Sequence, residues 1–98
     1  MADLDLSPAT RADLVAIRKY SIEQFGAVVA NAYFLGFDEA FDILRSHPFA
    51  GELAPKLGRD LRCYVSRKHR IFYRAEAKLV LIVRIIHHAR NARRKLNG

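Results

Sequence analysis

Leu4 and Leu6 alternate with Asp3, Asp5 and Ser7, and this period of two predicts a short first strand. Ser7-Pro8 then begins a helix. The serine hydroxyl can accept from a first-turn amide, and proline at the first helical position forfeits an amide that has no partner there. Leu14, Ile17, Ser21 or Ile22, and Phe25 follow at spacings of three and four, with Asp13, Arg18, Lys19 and Glu23 mostly off that stripe. Gly26 breaks the pattern as a cap or turn. A second helix is predicted over about residues 28–45, carried by Val29, Ala32, Tyr33, Phe37, Ala40, Phe41 and Leu44. A joint this short folds the two helices back as a hairpin.

His47-Pro48 ends the second helix, because the residue before proline is pushed out of helical geometry. Residues 48–58, with two prolines and two glycines, read as a loop. From Leu61 the period changes to two. Leu61, Cys63 and Val65 alternate with Arg62, Tyr64 and Ser66; Ile71 and Tyr73 alternate with Arg70, Phe72 and Arg74; and residues 79–86 are almost continuously apolar, interrupted only by Arg84. Three strands joined by short turns form a meander, the last of them buried on both faces near the sheet centre. The expected fold is therefore α+β: a short N-terminal strand, an α-helical hairpin, a three-stranded antiparallel meander and a basic C-terminal tail. In that tail Ala89, Ala92 and Leu96 have helical spacing, enough for one or two turns or none.

Ninety-eight residues, 51% hydrophobic and 28% charged, suit a single domain spanning residues 1–98. The net charge of +7 is unevenly placed. Residues 1–55 hold four Lys/Arg against eight Asp/Glu, a net −4, whereas residues 56–98 hold thirteen against two, a net +11. Such polarity implies one strongly positive surface, suited to nucleic acid, anionic lipid or acidic protein segments. The N-terminus lacks the basic flank and apolar run of a secretory signal, and the longest apolar run is far short of the roughly 20 residues of a membrane helix. Neither secretion nor membrane association is expected. A lone cysteine, Cys63, excludes an internal disulfide and reads as a small buried hydrophobe rather than a nucleophile. His47, His69, His87 and His88 lack metal-ligand spacing, and there is no Gly-rich phosphate loop, so neither a metal nor a cofactor is expected.

Leu6-Ser7-Pro8-Ala9 with Asp13-Leu14, Ser46-His47-Pro48 with Gly51, Leu61-Arg62 into Val65 and Arg67, His69-Arg70-Ile71-Phe72-Tyr73-Arg74, and Val83-Arg84-Ile85-Ile86-His87 occur in that order. Together they resemble the RelE/ParE superfamily of bacterial toxins from toxin–antitoxin pairs over nearly the whole chain. The strings Ile71-Phe72-Tyr73-Arg74 and Ile82-Val83-Arg84-Ile85-Ile86-His87 look most like the ParE branch. That resemblance implies a cytoplasmic toxin without catalytic activity of its own, which poisons DNA gyrase. It also implies silencing by an acidic, ParD-like antitoxin, in a hetero-oligomer. The alternative is the RelE branch, which cuts messenger RNA on the ribosome. Its chemistry is attributed to meander lysines and a tyrosine after the last strand, and this chain has no tyrosine after Tyr73.

On the nuclease alternative the working groups would be Arg70 and Arg84 to hold phosphate charge and His87 or His88 to move protons. On the ParE reading, Arg90, Arg93, Arg94 and Lys95 are the candidates for target binding, four cations within six residues of a tail the core does not need. Tyr20 and Phe34, off the main helical stripes, and the strand arginines Arg62, Arg70, Arg74 and Arg84 are the candidates for antitoxin binding. Arg84 stands out because a guanidinium inside an apolar strand is costly unless paired. Alternation places it on a face with Ile82, Ile86 and His88, and an acid such as Glu52 or a chain terminus is its expected partner if its role is structural.

Overall fold

The computed structural model describes residues 1–89 and residue 96. Its elements run β1 (Asp3–Leu6), α1 (Pro8–Ser46), β2 (Glu52–Leu53), β3 (Arg62–Ser66), β4 (His69–Glu76) and β5 (Leu79–His87). One sheet holds all five strands in the order β1-β5-β4-β3-β2. β1 lies parallel to β5, Asp3 opposite Leu79, while the other neighbours are antiparallel.

The helix starts as the sequence dictates. Ser7 is the N-cap, accepting from the Thr10 amide at 3.0 Å, and Pro8 opens the first turn. Gly26 interrupts α1 at φ 84°, ψ 165°, a conformation nearly closed to residues with a Cβ. The chain doubles back there: Arg18 Nη2 donates to Asn31 Oδ1 at 2.8 Å and the Arg18 guanidinium lies 5.5 Å from the Phe34 ring centre. A straight helix, rising about 1.5 Å per residue, would hold Arg18 and Asn31 roughly 20 Å apart. The hairpin is thus present, but its joint is the single residue Gly26 and the helical hydrogen bonding runs up to it from both sides. The helix ends at Ser46 with His47 as its cap.

The core lies between the hairpin and one face of the sheet, where Phe37, Ala40 and Leu44 meet Ile71, Tyr73, Val80, Ile82 and Ile85. Toward the tip the hairpin overhangs the sheet. Phe25 and Val29, on the expected apolar stripes, are exposed there together with Val28. On the opposite face Leu61, Phe72 and Ile86 form a smaller cluster, covered by Leu57, Cys63, Val83 and Leu96.

Two features differ from the sequence reading. The 48–58 loop contains the short edge strand β2, held on β3 by pairing of Glu52 with Cys63 and Leu53 with Arg62. A β-bulge also breaks the β4–β5 register: Phe72 pairs with Arg84 but Tyr73 with Ile82, leaving Val83 as the extra residue. Ile82 therefore faces the hairpin and Ile86 the other side, so the single alternating face expected for Ile82, Arg84 and Ile86 does not exist. As expected, β5 lies near the sheet centre, beside the central strand β4.

Candidate functional site

β1 covers β5 only as far as Ile82, and beyond it the start of α1 runs along the uncovered edge. The Thr10 hydroxyl donates to the Ile82 carbonyl at 2.9 Å and the Ser7 hydroxyl to the Val83 carbonyl at 2.8 Å, so the bulged residue keeps its acceptor satisfied. Asp13 completes the run. Its carboxylate accepts from Arg84 Nε and Nη2, both at 2.8 Å, and from the Ile85 amide at 3.0 Å. The hydrogen bonds to Asp13 raise the Arg84 guanidinium above its ordinary pKa, against a desolvation that works the other way. The partner is Asp13, on the helix, and not Glu52 or a terminus.

The other strand arginines have contacts of their own. Arg62 Nη1 donates to the Gly51 carbonyl at 2.8 Å with its guanidinium 4.8 Å from the Phe49 ring centre, and Arg74 Nε donates to the Arg59 carbonyl at 3.3 Å. Both fasten the segment around β2. Arg70 is half-buried, 5.6 Å over the Phe72 ring. The Tyr73 hydroxyl fixes the same segment from below, donating to the Pro48 carbonyl at 2.7 Å and accepting from the Gly51 amide at 2.8 Å. Of the aromatic candidates, Tyr20 is exposed, whereas Phe34 packs edge-on against Phe37 on the margin of the core. Arg90, Arg93, Arg94 and Lys95 lie outside the described residues.

His87 and His88 belong to a larger cluster. They stack at 4.5 Å, and His87 meets the buried His69 edge-on at 5.3 Å. His88 Nδ1 faces the Lys68 carbonyl at 3.0 Å and so carries its proton there, while His87 Nδ1 accepts from the Ala89 amide at 3.1 Å. Tyr33 reaches His69 Nδ1 at 2.6 Å, with the Arg67 guanidinium 5.3 Å from the Tyr33 ring centre. Burial raises the Tyr33 pKa, opposed by a Lys68 backbone hydrogen bond and the Arg67 charge, so the phenol keeps its proton, and the His69 tautomer decides which of the two groups donates. Sequence reading missed both Tyr33 and His69. Tyr33 lay on the helical stripe, which marked it as core, and nothing local linked it to a histidine 36 residues away.

Burial, then the neighbouring charges of His87 and His88, push the His69 pKa from 6.5 down to about 4. The unfolded chain therefore binds a proton over a range where the folded chain does not. Stability is complete above about 6.5, falls as pH is lowered and stops falling from this source near 4, a loss on the order of 3 kcal/mol. His69→Phe, which keeps an aromatic ring beside Phe37, should flatten this part of the acid limb in urea titrations at pH 4.5 and 7. An unchanged slope would place the acid sensitivity elsewhere.

Among the described residues no group of His, Cys, Asp and Glu could hold a metal ion, and no helix is long and apolar enough to cross a membrane. Burial raises the Cys63 thiol pKa, as suits its place in the apolar cluster around Phe72 rather than a reactive one.

A hairpin laid across a sheet whose N-terminal strand runs parallel to the last is the architecture of RelE/ParE-like toxins. Residues 4–92 match the family model described as ParE toxin of type II toxin-antitoxin system, parDE. The chain belongs to that family. It is 32% identical over 91 residues to toxin ParE1 of Caulobacter vibrioides, a match covering 93% of this chain and 94% of the relative. It also superposes on a chain of the chromosomal ParDE TA system from P. aeruginosa with a TM-score of 0.76 at 21% identity, covering 89% of this chain and 96% of that one.

Proposed function

We infer that this ParE-family toxin arrests growth by inhibiting DNA gyrase, without catalysing a reaction itself, and that an acidic ParD-like antitoxin silences it in a hetero-oligomeric complex. The observation that carries the choice between gyrase and ribosome is the Asp13–Arg84 clasp. A ribonuclease of this fold needs cations free to hold the phosphorane charge in the transition state. Here Arg84 on β5 already spends two donors on a carboxylate 2.8 Å away. The +11 carried by residues 56–98 supplies the long-range attraction for an acidic antitoxin. The histidine cluster favours the nuclease alternative and gives the test its second arm.

Induced expression without the product of the neighbouring reading frame should halt growth. Cells should filament and DNA-damage signalling should rise while bulk messenger RNA stays intact, and the purified chain should inhibit gyrase supercoiling. Rapid ribosome-dependent cleavage of messages, lost on replacing His87 or His88, would establish the nuclease instead.

A further inference from the structure

Each half of the hairpin carries a second stripe, opposite the one it buries. In the first half Ala12, Val15, Lys19 and Ile22 recur at spacings of three and four, and all are exposed. In the second half Val28, Ala32, Leu35 and Glu39 repeat in the same way, again all exposed. Val28 is 84%, Val15 71% and Leu35 60% exposed. An apolar repeat alternating between three and four is the seam along which one helix packs on another, and here it faces outward.

The two halves also differ in charge. The first exposes Arg11, Arg18 and Lys19 against Glu23, and the second exposes Asp38, Glu39 and Asp42 with no base before Arg45. Arg11 has Asp5 and Asp42 has Arg45, each pair at 3.7 Å, so Arg18, Lys19, Asp38 and Glu39 carry most of the contrast. Two copies can stack these faces about a twofold axis in two ways. With tips opposed, each half lies on its own counterpart and like charges meet. With tips together, the first half of one copy lies on the second half of the other and unlike charges meet. The second arrangement also matches the apolar positions. Arg18 lies level with Asn31 and Phe34 in its own hairpin. When the twofold axis runs along the hairpin, a residue meets in the other copy what it lies level with in its own. By the same count Val15 meets Leu35, Ile22 meets Val28, Lys19 lies between those two layers, and Arg11 comes beside Asp38 and Glu39.

We propose that the chain free of its antitoxin is a homodimer joined through the outer face of the hairpin, the two Gly26 tips side by side, as a four-helix bundle. Val15, Ile22, Val28 and Leu35 of both copies fill the seam, and the basic half of each copy lies along the acidic half of the other. The contact uses the same patch on both copies, so it closes at two. It stands on the hairpin alone and is independent of the gyrase reading.

The test is sedimentation of the full chain, purified without antitoxin, over a range of concentrations. A monomer–dimer equilibrium in the micromolar range is expected. Leu35→Glu, at an exposed position, should weaken it at least tenfold, whereas Val65→Glu, on the exposed sheet, should leave it unchanged. Should Leu35→Glu melt far below the parent, Val15→Lys gives the same readout from the other half. Asp38→Lys with Glu39→Lys should weaken the dimer at least tenfold, and adding Arg11→Glu and Lys19→Glu to that chain should restore it, because both halves then change sign. A chain that stays monomeric to millimolar concentration, this face then serving only other partners, overturns the proposal. So does a dimer indifferent to Leu35→Glu or Val15→Lys, or one equally strong in all the charge variants, as opposed tips would give.

Discussion

Replacing Asp13 by alanine is expected to lower stability by about 3 kcal/mol. One carboxylate there serves two guanidinium nitrogens and the Ile85 amide, and the Asp13 and Arg84 side chains are only 13% and 21% exposed. Its removal leaves a guanidinium and a backbone donor with little water to replace it. Arg84→Ala should cost less, about 2 kcal/mol, because Asp13 keeps the Ile85 amide. The surface pair Arg11–Asp5, 3.7 Å apart with both side chains more than half exposed, should be worth well under about 1 kcal/mol. Urea midpoints for the two single variants and the double variant close the cycle. A coupling of about 1–3 kcal/mol is expected, and one near zero would mean that solvent serves Arg84 as well as Asp13 does.

The largest effect on activity is expected from the tail. Changing Arg90, Arg93, Arg94 and Lys95 together to glutamine should weaken gyrase inhibition at least tenfold, about 1.4 kcal/mol, with the melting temperature and antitoxin binding nearly unchanged. The fold's apolar pattern closes without these cations, so their loss has few structural routes by which to act. Deleting residues 90–98 is a harsher variant, because it also removes Leu96 from the cluster of Leu61, Phe72 and Ile86. That deletion should cost a further 1–2 kcal/mol or so of stability from the uncovered apolar surface. Comparing the two variants in melting, antitoxin binding and supercoiling assays separates charge from packing. Full inhibition by the glutamine variant would move the effector role to Arg62, Arg70 and Arg74.

Most of the architecture was legible because it is written locally. Ser7-Pro8, Gly26 and His47-Pro48 mark the helical hairpin through caps and forbidden dihedrals, and the switch to period two announces the three long strands. What stayed hidden depends on long-range geometry. Two residues of β2 carry no periodicity, and β1 gives no sign of running parallel to β5. The bulge at Val83 cannot be read from the apolar run, yet it puts Ile82 on the face opposite to Arg84 and Ile86, which simple alternation would place together. The need for a partner to Arg84 was evident from its apolar neighbours. The identity of that partner was not, since Asp13 lies 71 residues away. The histidine cluster shows the same limit: His87 and His88 drew notice as a pair, but Tyr33 and His69 meet them only in the folded chain.

The parallel pairing of β1 with β5 also sets a timetable for biosynthesis. Asp3 and its partner Leu79 are 76 residues apart, so at roughly 5–20 residues per second the first strand waits about 4–15 s for its neighbour to be made. The helical hairpin, built on short-range contacts, can form during that interval, whereas the sheet cannot close. The hairpin can therefore be in place before the strand that lets the sheet close has been made.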